Sequence, residues 1–238
     1  MVRPTRLISL LRRLIAIDSQ NPPGNETRIA LFCKKHLEGL GLRVKMVSFK
    51  KNRPNLLVTL KGSSSEKSLL ITPHLDTVPA GKRWGVDPFA GVIKKGKLYG
   101  LGATDCKSNL ACSIEVMQSL IEEKEKLPYD LIFAATADEE TGSALGLIPL
   151  LDRKILTPDA ALVLDADDYK IVVAQKGLLH LTVSLRGKRA HGAYPWLGKN
   201  AVAAAVSILA ELARIRIGSR SHTYLRQSTM NIGTIRGG

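Results

Sequence analysis

Thiols and aromatic rings are both scarce in this chain, and each shortage narrows what it can be. The cysteines are three, Cys33, Cys106 and Cys112, and their spacing matches no disulfide framework. Nor does a second CxxC-like pair complete a thiolate metal site. Reduced thiols and a cytoplasmic setting are therefore expected. Aromatic residues make up 5% of the chain, while the net charge is +14 and the pI about 9.9. The cations are scattered (Lys50-Lys51, Lys94-Lys95 and Lys97, Arg214 and Arg216) with few rings between them. That pattern reads as a solvated basic surface, and no nucleic-acid partner is expected. Long apolar runs are also missing: none approaches the ~18 residues that span a bilayer, so no membrane partner is expected. Charged residues interrupt the apolar positions of the N-terminal stretch RLISLLRRLIAIDSQNPPGNE, and no small-residue cleavage site follows. It reads as an amphipathic helix, not a signal peptide.

What is present suits a globular protein with a real core. The 238 residues are 45% hydrophobic and 24% charged, and the mean hydropathy is +0.02. Leu7, Leu10, Leu11, Leu14 and Ile15 share one helical face within 5–17, and Asn21-Pro22-Pro23-Gly24 ends that segment. A second helix is predicted over 27–40 and a third over 108–124. Strands are predicted over 43–49, 55–60, 68–73, 129–135 and 160–164, with a loop and hairpin over 84–101. Strands alternating with helices imply an α/β layered fold with a largely parallel sheet. Composition changes near Gln175-Lys176-Gly177. A first domain of residues 1–177 and a second of 178–238 are expected. In the second, a strand over 179–185, an Ala-rich helix over 200–214 and a strand over 229–235 would begin a smaller α+β unit.

Four polar segments each follow an apolar strand or a glycine turn, where open α/β sheets bind ligands. In Pro73-His74-Leu75-Asp76, the imidazole can bind a metal while the carboxylate holds its other ring nitrogen; a surface hydrogen bond is the plainer reading. Gly100 to Asp105 delivers a carboxylate to the mouth of a helix. Asp105 suits either a helix N-cap or a bridge between two metals. Asp138-Glu139-Glu140 suits a helix N-terminus, or a division of labour in which one carboxylate binds metal and another takes a proton. Asp165, Asp167 and Asp168 suit an Asp-rich turn or a further ligand. Together the segments offer one imidazole and several hard oxygen ligands, a set that suits zinc, manganese or cobalt.

These segments, in this order, resemble the co-catalytic zinc family of acetylornithine deacetylase and succinyl-diaminopimelate desuccinylase, to which aminoacylases, glutamate carboxypeptidases and several di- and tripeptidases also belong. The resemblance runs from SQNPPGNE through PHLDTVP, WGVDPFAG, YGLGATDCKS, ATADEETGS and RAHGAYP to GTIRGG. It implies a layered α/β/α catalytic domain with an inserted α+β lid that dimerises. It implies two zinc ions, with cobalt or manganese as substitutes. His74 and Asp165 would bind one zinc, Asp105 would bridge, Glu140 would bind the second, and Asp76 would steer His74. Glu139 would be the general base, and His191 would reach a partner's site to stabilise an oxyanion. His36, His180 and His222 match no motif. The implied substrate is an N-acyl amino acid, with a dipeptide as the alternative.

The chain departs from the pattern at Pro73 and Ser108, where glycine is usual, and at Asp165, where the deacylases more often carry Glu and the di- and aminopeptidases Asp. Asp167 competes with Asp165 for the ligand role. Family members continue past the Gly-Gly motif and supply a last histidine to the second zinc. The chain is therefore expected to be an N-terminal portion, and a non-catalytic dimerising or metal-binding module is the rival expectation.

Overall fold

The computed structural model describes residues 1–165, 170–218 and 222–238. The chain divides into two units, Met1–Tyr169 and Lys170–Gly238, a few residues ahead of the boundary expected near 177.

The first unit runs α1 (Pro4–Ile15), α2 (Thr27–Gly39), β1 (Lys45–Ser48), β2 (Pro54–Leu60), β3 (Ser68–Thr72), β4 (Val92–Lys94), β5 (Lys97–Tyr99), α3 (Lys107–Glu122), β6 (Asp130–Ala135), α4 (Leu147–Asp152) and β7 (Ala160–Val163). Five strands form one sheet in the order β1-β2-β6-β3-β7, and β4 pairs with β5 as the expected hairpin. The sheet is mixed, not largely parallel. A short polar turn joins β1 to β2 and forces an antiparallel pair, and β2 also lies antiparallel to β6. Only β6-β3 and β3-β7 are parallel.

Side-chain alternation along the strands builds the layers. Leu56 and Val58 of β2, Ile71 of β3 and Leu131, Phe133 and Ala135 of β6 face α1, α2 and α3, which bring Leu10, Leu14, Ile29, Leu37, Leu110, Ile114 and Met117. The intervening Leu57, Leu70 and Ala134 turn to the other face and meet Leu150 of α4 and Leu156. The result is an α/β/α sandwich. The buried Glu115 of α3 locks α1 in place through Arg6 at 2.6 and 2.8 Å and the Arg3 backbone N–H at 2.7 Å.

The second unit holds helix α5 (Ala201–Leu212), capped by Asn200 Oδ1, which accepts from the Ala203 N–H at 3.0 Å. The strands expected over 179–185 and 229–235 are not formed among the described residues. Leu179, Leu181 and Val183 alternate as a strand should, but they remain 64–78% exposed. Alternation specifies a face, and a ladder also needs a partner edge; the pairing described in this unit is a single bridge, Lys188 to Lys199. No described helix is long and apolar enough to cross a membrane.

Candidate metal centre

Parallel pairing sets the site. β3, β6 and β7 run the same way, so their C-terminal ends emerge at one edge of the sheet. The pairing continues past the strands: the Leu75 N–H donates to the Thr136 carbonyl at 2.7 Å, and the Leu164 N–H to the Thr72 carbonyl at 3.1 Å. His74, Asp138 to Glu140 and Asp165 thereby follow three neighbouring strands. Asp105 arrives from the turn before α3. It does not cap that helix, whose N-cap is Cys106 with no side-chain cap bond.

His74 is buried, and its Nε2 lies 2.9 Å from Asp105 Oδ1 and 3.8 Å from Glu139 Oε2. Its Nδ1 is 3.0 Å from the Asp76 carbonyl oxygen and 3.4 Å from Asp76 Oδ1. The backbone oxygen of Asp76 is the closer acceptor, and the carboxylate expected to hold this nitrogen lies behind it. With both ring nitrogens protonated, Nδ1 donates to the Asp76 carbonyl and Nε2 to Asp105; a bound cation would take the place of the Nε2 proton. Burial disfavours the imidazolium, but the bonds to Asp105 and Asp76 outweigh it and hold the His74 pKa well above the usual range.

The fully buried Asp76 carboxylate accepts from three donors. Glu139 N–H reaches Oδ1 at 3.1 Å, Glu140 N–H reaches Oδ2 at 3.1 Å, and Asn21 Nδ2 reaches Oδ2 at 2.8 Å, while the His74 ring lies 3.4 Å from Oδ1. Burial opposes its charge, but these bonds win and its pKa is lowered.

Asp138 is consumed by the fold. Its backbone has φ +68°, its Oδ1 accepts from Arg53 at 2.8 Å and from Thr141 Oγ1 at 2.6 Å, and its Oδ2 accepts from the Leu145 N–H at 3.0 Å. Glu139 and Glu140 carry half-exposed carboxylates that are short of counter-charge. Burial, then the surrounding carboxylates, push Glu139 upward against the pull of His74. Burial and Asp105 push Glu140 up to about 7, and its Oε1 accepts from the Val78 N–H at 3.0 Å. Asp105 is held low, first by the His74 bond and also by a contact with Asp165, against burial. The Asp165 backbone carbonyl accepts from Asn109 Nδ2 at 3.0 Å. Asp167 and Asp168 lie outside the described residues.

An imidazole, the Asp105 carboxylate 2.9 Å from it and two raised carboxyls at one strand edge fit a divalent cation, whose charge would draw those carboxyls back down. The tightest ligand group is His74, Asp105 and Cys106, whose ligand atoms lie within 4.8 Å of one another. The Cys106 thiol also donates to the Leu164 carbonyl at 3.2 Å. His191 belongs to the second unit, where its Nδ1 accepts from the Ala193 N–H at 3.1 Å and its ring lies 5.6 Å from Tyr194.

Asn21, Glu26 and Arg53 also brace this edge, though none of them was expected as a site residue. Arg53 is buried and donates to Glu26 Oε2 at 2.7 Å as well as to Asp138. A Cβ on Gly24, whose φ is +76°, would fall 2.3 Å from the Arg53 guanidinium, so the glycine makes room for it. The Asn-Pro-Pro-Gly run carried the signal, yet it reads as a helix stop.

The sequence model of peptidase family M20/M25/M40 matches residues 70–230. The acetylornithine deacetylase of Proteus mirabilis (strain HI4320) is 33% identical over 245 residues, which cover 97% of this chain and 62% of that protein. The chain therefore spans less than two thirds of that relative's length. Among solved structures, human carnosine dipeptidase 1 is similar with a TM-score of 0.60 and 26% identity, over 68% of this chain and 38% of its own. The aminopeptidase PepT from Bacillus cereus ATCC 10987 is similar with a TM-score of 0.59 and 25% identity, over 91% of this chain and 58% of its own.

Proposed function

This chain belongs to peptidase family M20/M25/M40, and we propose that it carries the metal-binding and proton-transfer groups of a hydrolase that cleaves the amide bond of N-acyl amino acids. The observation that carries this reading is the meeting of His74 Nε2, Asp105 and Glu139 at one sheet edge, with Asp76 behind them. His74 and Asp165 would hold one metal, Glu140 the other, and Asp105 would lie between. Bound there, two zinc ions, or cobalt or manganese in their place, would polarise the substrate carbonyl and acidify a water.

Glu139 accepts a proton as the water oxygen adds to the carbonyl carbon. It returns that proton to the amide nitrogen as the C–N bond breaks. Its half-exposed carboxylate, 3.8 Å from His74 Nε2, supports this role. Asp76 keeps His74 and the Glu139 backbone in register. His191 of a partner protomer would donate to the developing oxyanion, which requires a dimer made through the second unit. The free thiols of Cys33, Cys106 and Cys112 support a cytoplasmic setting.

A dipeptidase is the second reading, favoured by Asp165 and by the likeness to carnosine dipeptidase 1. The test is hydrolysis with added zinc or cobalt, over N-acetylornithine, N-succinyl-diaminopimelate, other N-acyl amino acids and simple dipeptides. Turnover of an N-acyl amino acid that disappears in Glu139→Ala supports the first reading. Turnover of dipeptides alone transfers the assignment to the second.

A further inference from the structure

The segment Ile17 to Asn21 lies across the loops that bear the site. Its Ile17 carbonyl accepts from the buried Lys107 Nζ at 2.7 Å, and Gln20 Oε1 accepts from the Ala80 N–H at 2.6 Å. The Asn21 N–H donates to the Thr77 carbonyl at 2.8 Å, and the Thr77 N–H to the Ser19 carbonyl at 3.2 Å. The backbone of Asn21 is thus fixed beside the His74 loop, and its side chain turns inward, 4% exposed. There Nδ2 meets Asp76 Oδ2 at 2.8 Å, Thr141 Oγ1 at 3.0 Å and Asp138 Oδ1 at 3.4 Å. Among the described residues, it is the one side-chain amide that joins the carboxylate behind His74 to the turn that carries Glu139 and Glu140. We propose that Asn21 is a positioning residue, whose amide fixes the rotation of the Asp76 carboxylate and through it both the His74 imidazole and the Glu139–Glu140 backbone.

Asp76 offers two oxygens to three donors and to the His74 ring edge, so one rotation of its carboxylate serves them all. Asn21 and Glu140 share Oδ2, while Oδ1 accepts from Glu139 and lies 3.4 Å from His74 Nδ1. Without the amide, that rotation loses the side-chain donor that Asn21 supplies from outside the ligand-bearing loops. Arg53 and Glu26 brace the far side of the same turn through Asp138, so the turn itself survives the loss of Asn21. The consequence for metal affinity rests on the reading of His74, Asp105 and Glu140 as ligands; the consequence for the backbone does not.

The test compares the chain with Asn21→Ala and Asn21→Asp. Asparagine and aspartate fill the same space, but aspartate presents a like charge to Asp76 in place of a donor. Amide hydrogen exchange in the metal-free protein is followed at Glu139 and Glu140, with Phe133 deep in β6 as internal reference. Exchange about tenfold or more faster at Glu139 and Glu140 in Asn21→Ala, and faster still in Asn21→Asp, with Phe133 unchanged, is the expected result. Cobalt affinity, read from absorption, should fall about ten- to hundredfold in the same order. Unchanged exchange in both variants, an aspartate variant as protected as the parent, or equal acceleration at Phe133 would overturn the proposal. If the exchange pattern holds while the parent binds no cobalt, the positioning role stands and the metallohydrolase reading falls.

Discussion

Adjacent carboxylates in the Asp138-Glu139-Glu140 run meet different fates, and the cause is local geometry. Asp138 sits in the left-handed region and turns inward, where Arg53, Thr141 and the Leu145 N–H use up its oxygens. Glu139 and Glu140 give only their N–H groups to Asp76 and keep their carboxylates at the site. Glu139→Gln removes the proton acceptor but keeps the shape. Hydrolysis should fall about 10²–10⁴-fold, with cobalt affinity within a few fold of the parent; kinetics and a cobalt titration check both. His74, Asp105, Glu139 and Glu140 were legible in the sequence because each follows an apolar strand or a glycine turn. Asn21 and Arg53 were not, because their partners lie 55 and 85 residues away in sequence and no local spacing announces them.

At the scale of elements, α1 is held on α3 by the Arg6–Glu115 pair. Burial pushes the Glu115 pKa up, but the Arg6 and Arg3 donors outweigh it and the folded value lies below the usual carboxylate range. A depressed carboxylate stabilises the fold at pH values above its unfolded pKa, about 4.3. That contribution is lost as pH falls through the folded value. Acid titration of thermal stability should therefore show a loss below about pH 4.3 that is smaller in Glu115→Gln. In the core, Phe133→Ala on the central strand β6 should cost about 3–5 kcal/mol in denaturant unfolding, because β6 faces all three helices of one layer. Helix positions were legible from their apolar stripes: α3 was expected over 108–124 and runs Lys107–Glu122. The sheet's mixed direction was less legible, since hydrophobic alternation reports which face is buried and not which way a neighbour runs.

The whole chain places a crowded acid cluster at one sheet edge inside a molecule of net charge +14. On the proposed reading the substrate carries a carboxylate, which a field of that sign would draw, so kcat/KM should fall with added salt while kcat stays level; a salt series with an N-acyl amino acid checks it. The expected strands of the second unit show the limit of pattern reading at this scale, because Leu179, Leu181 and Val183 specify a face without supplying its partner.

Calorimetric titration of the metal-free chain with zinc tests whether the sheet edge is a built metal centre. Saturable binding that raises the melting temperature, and is lost in both His74→Ala and Asp105→Asn, is the predicted result. No saturable binding, or binding that both variants retain, would contradict the account.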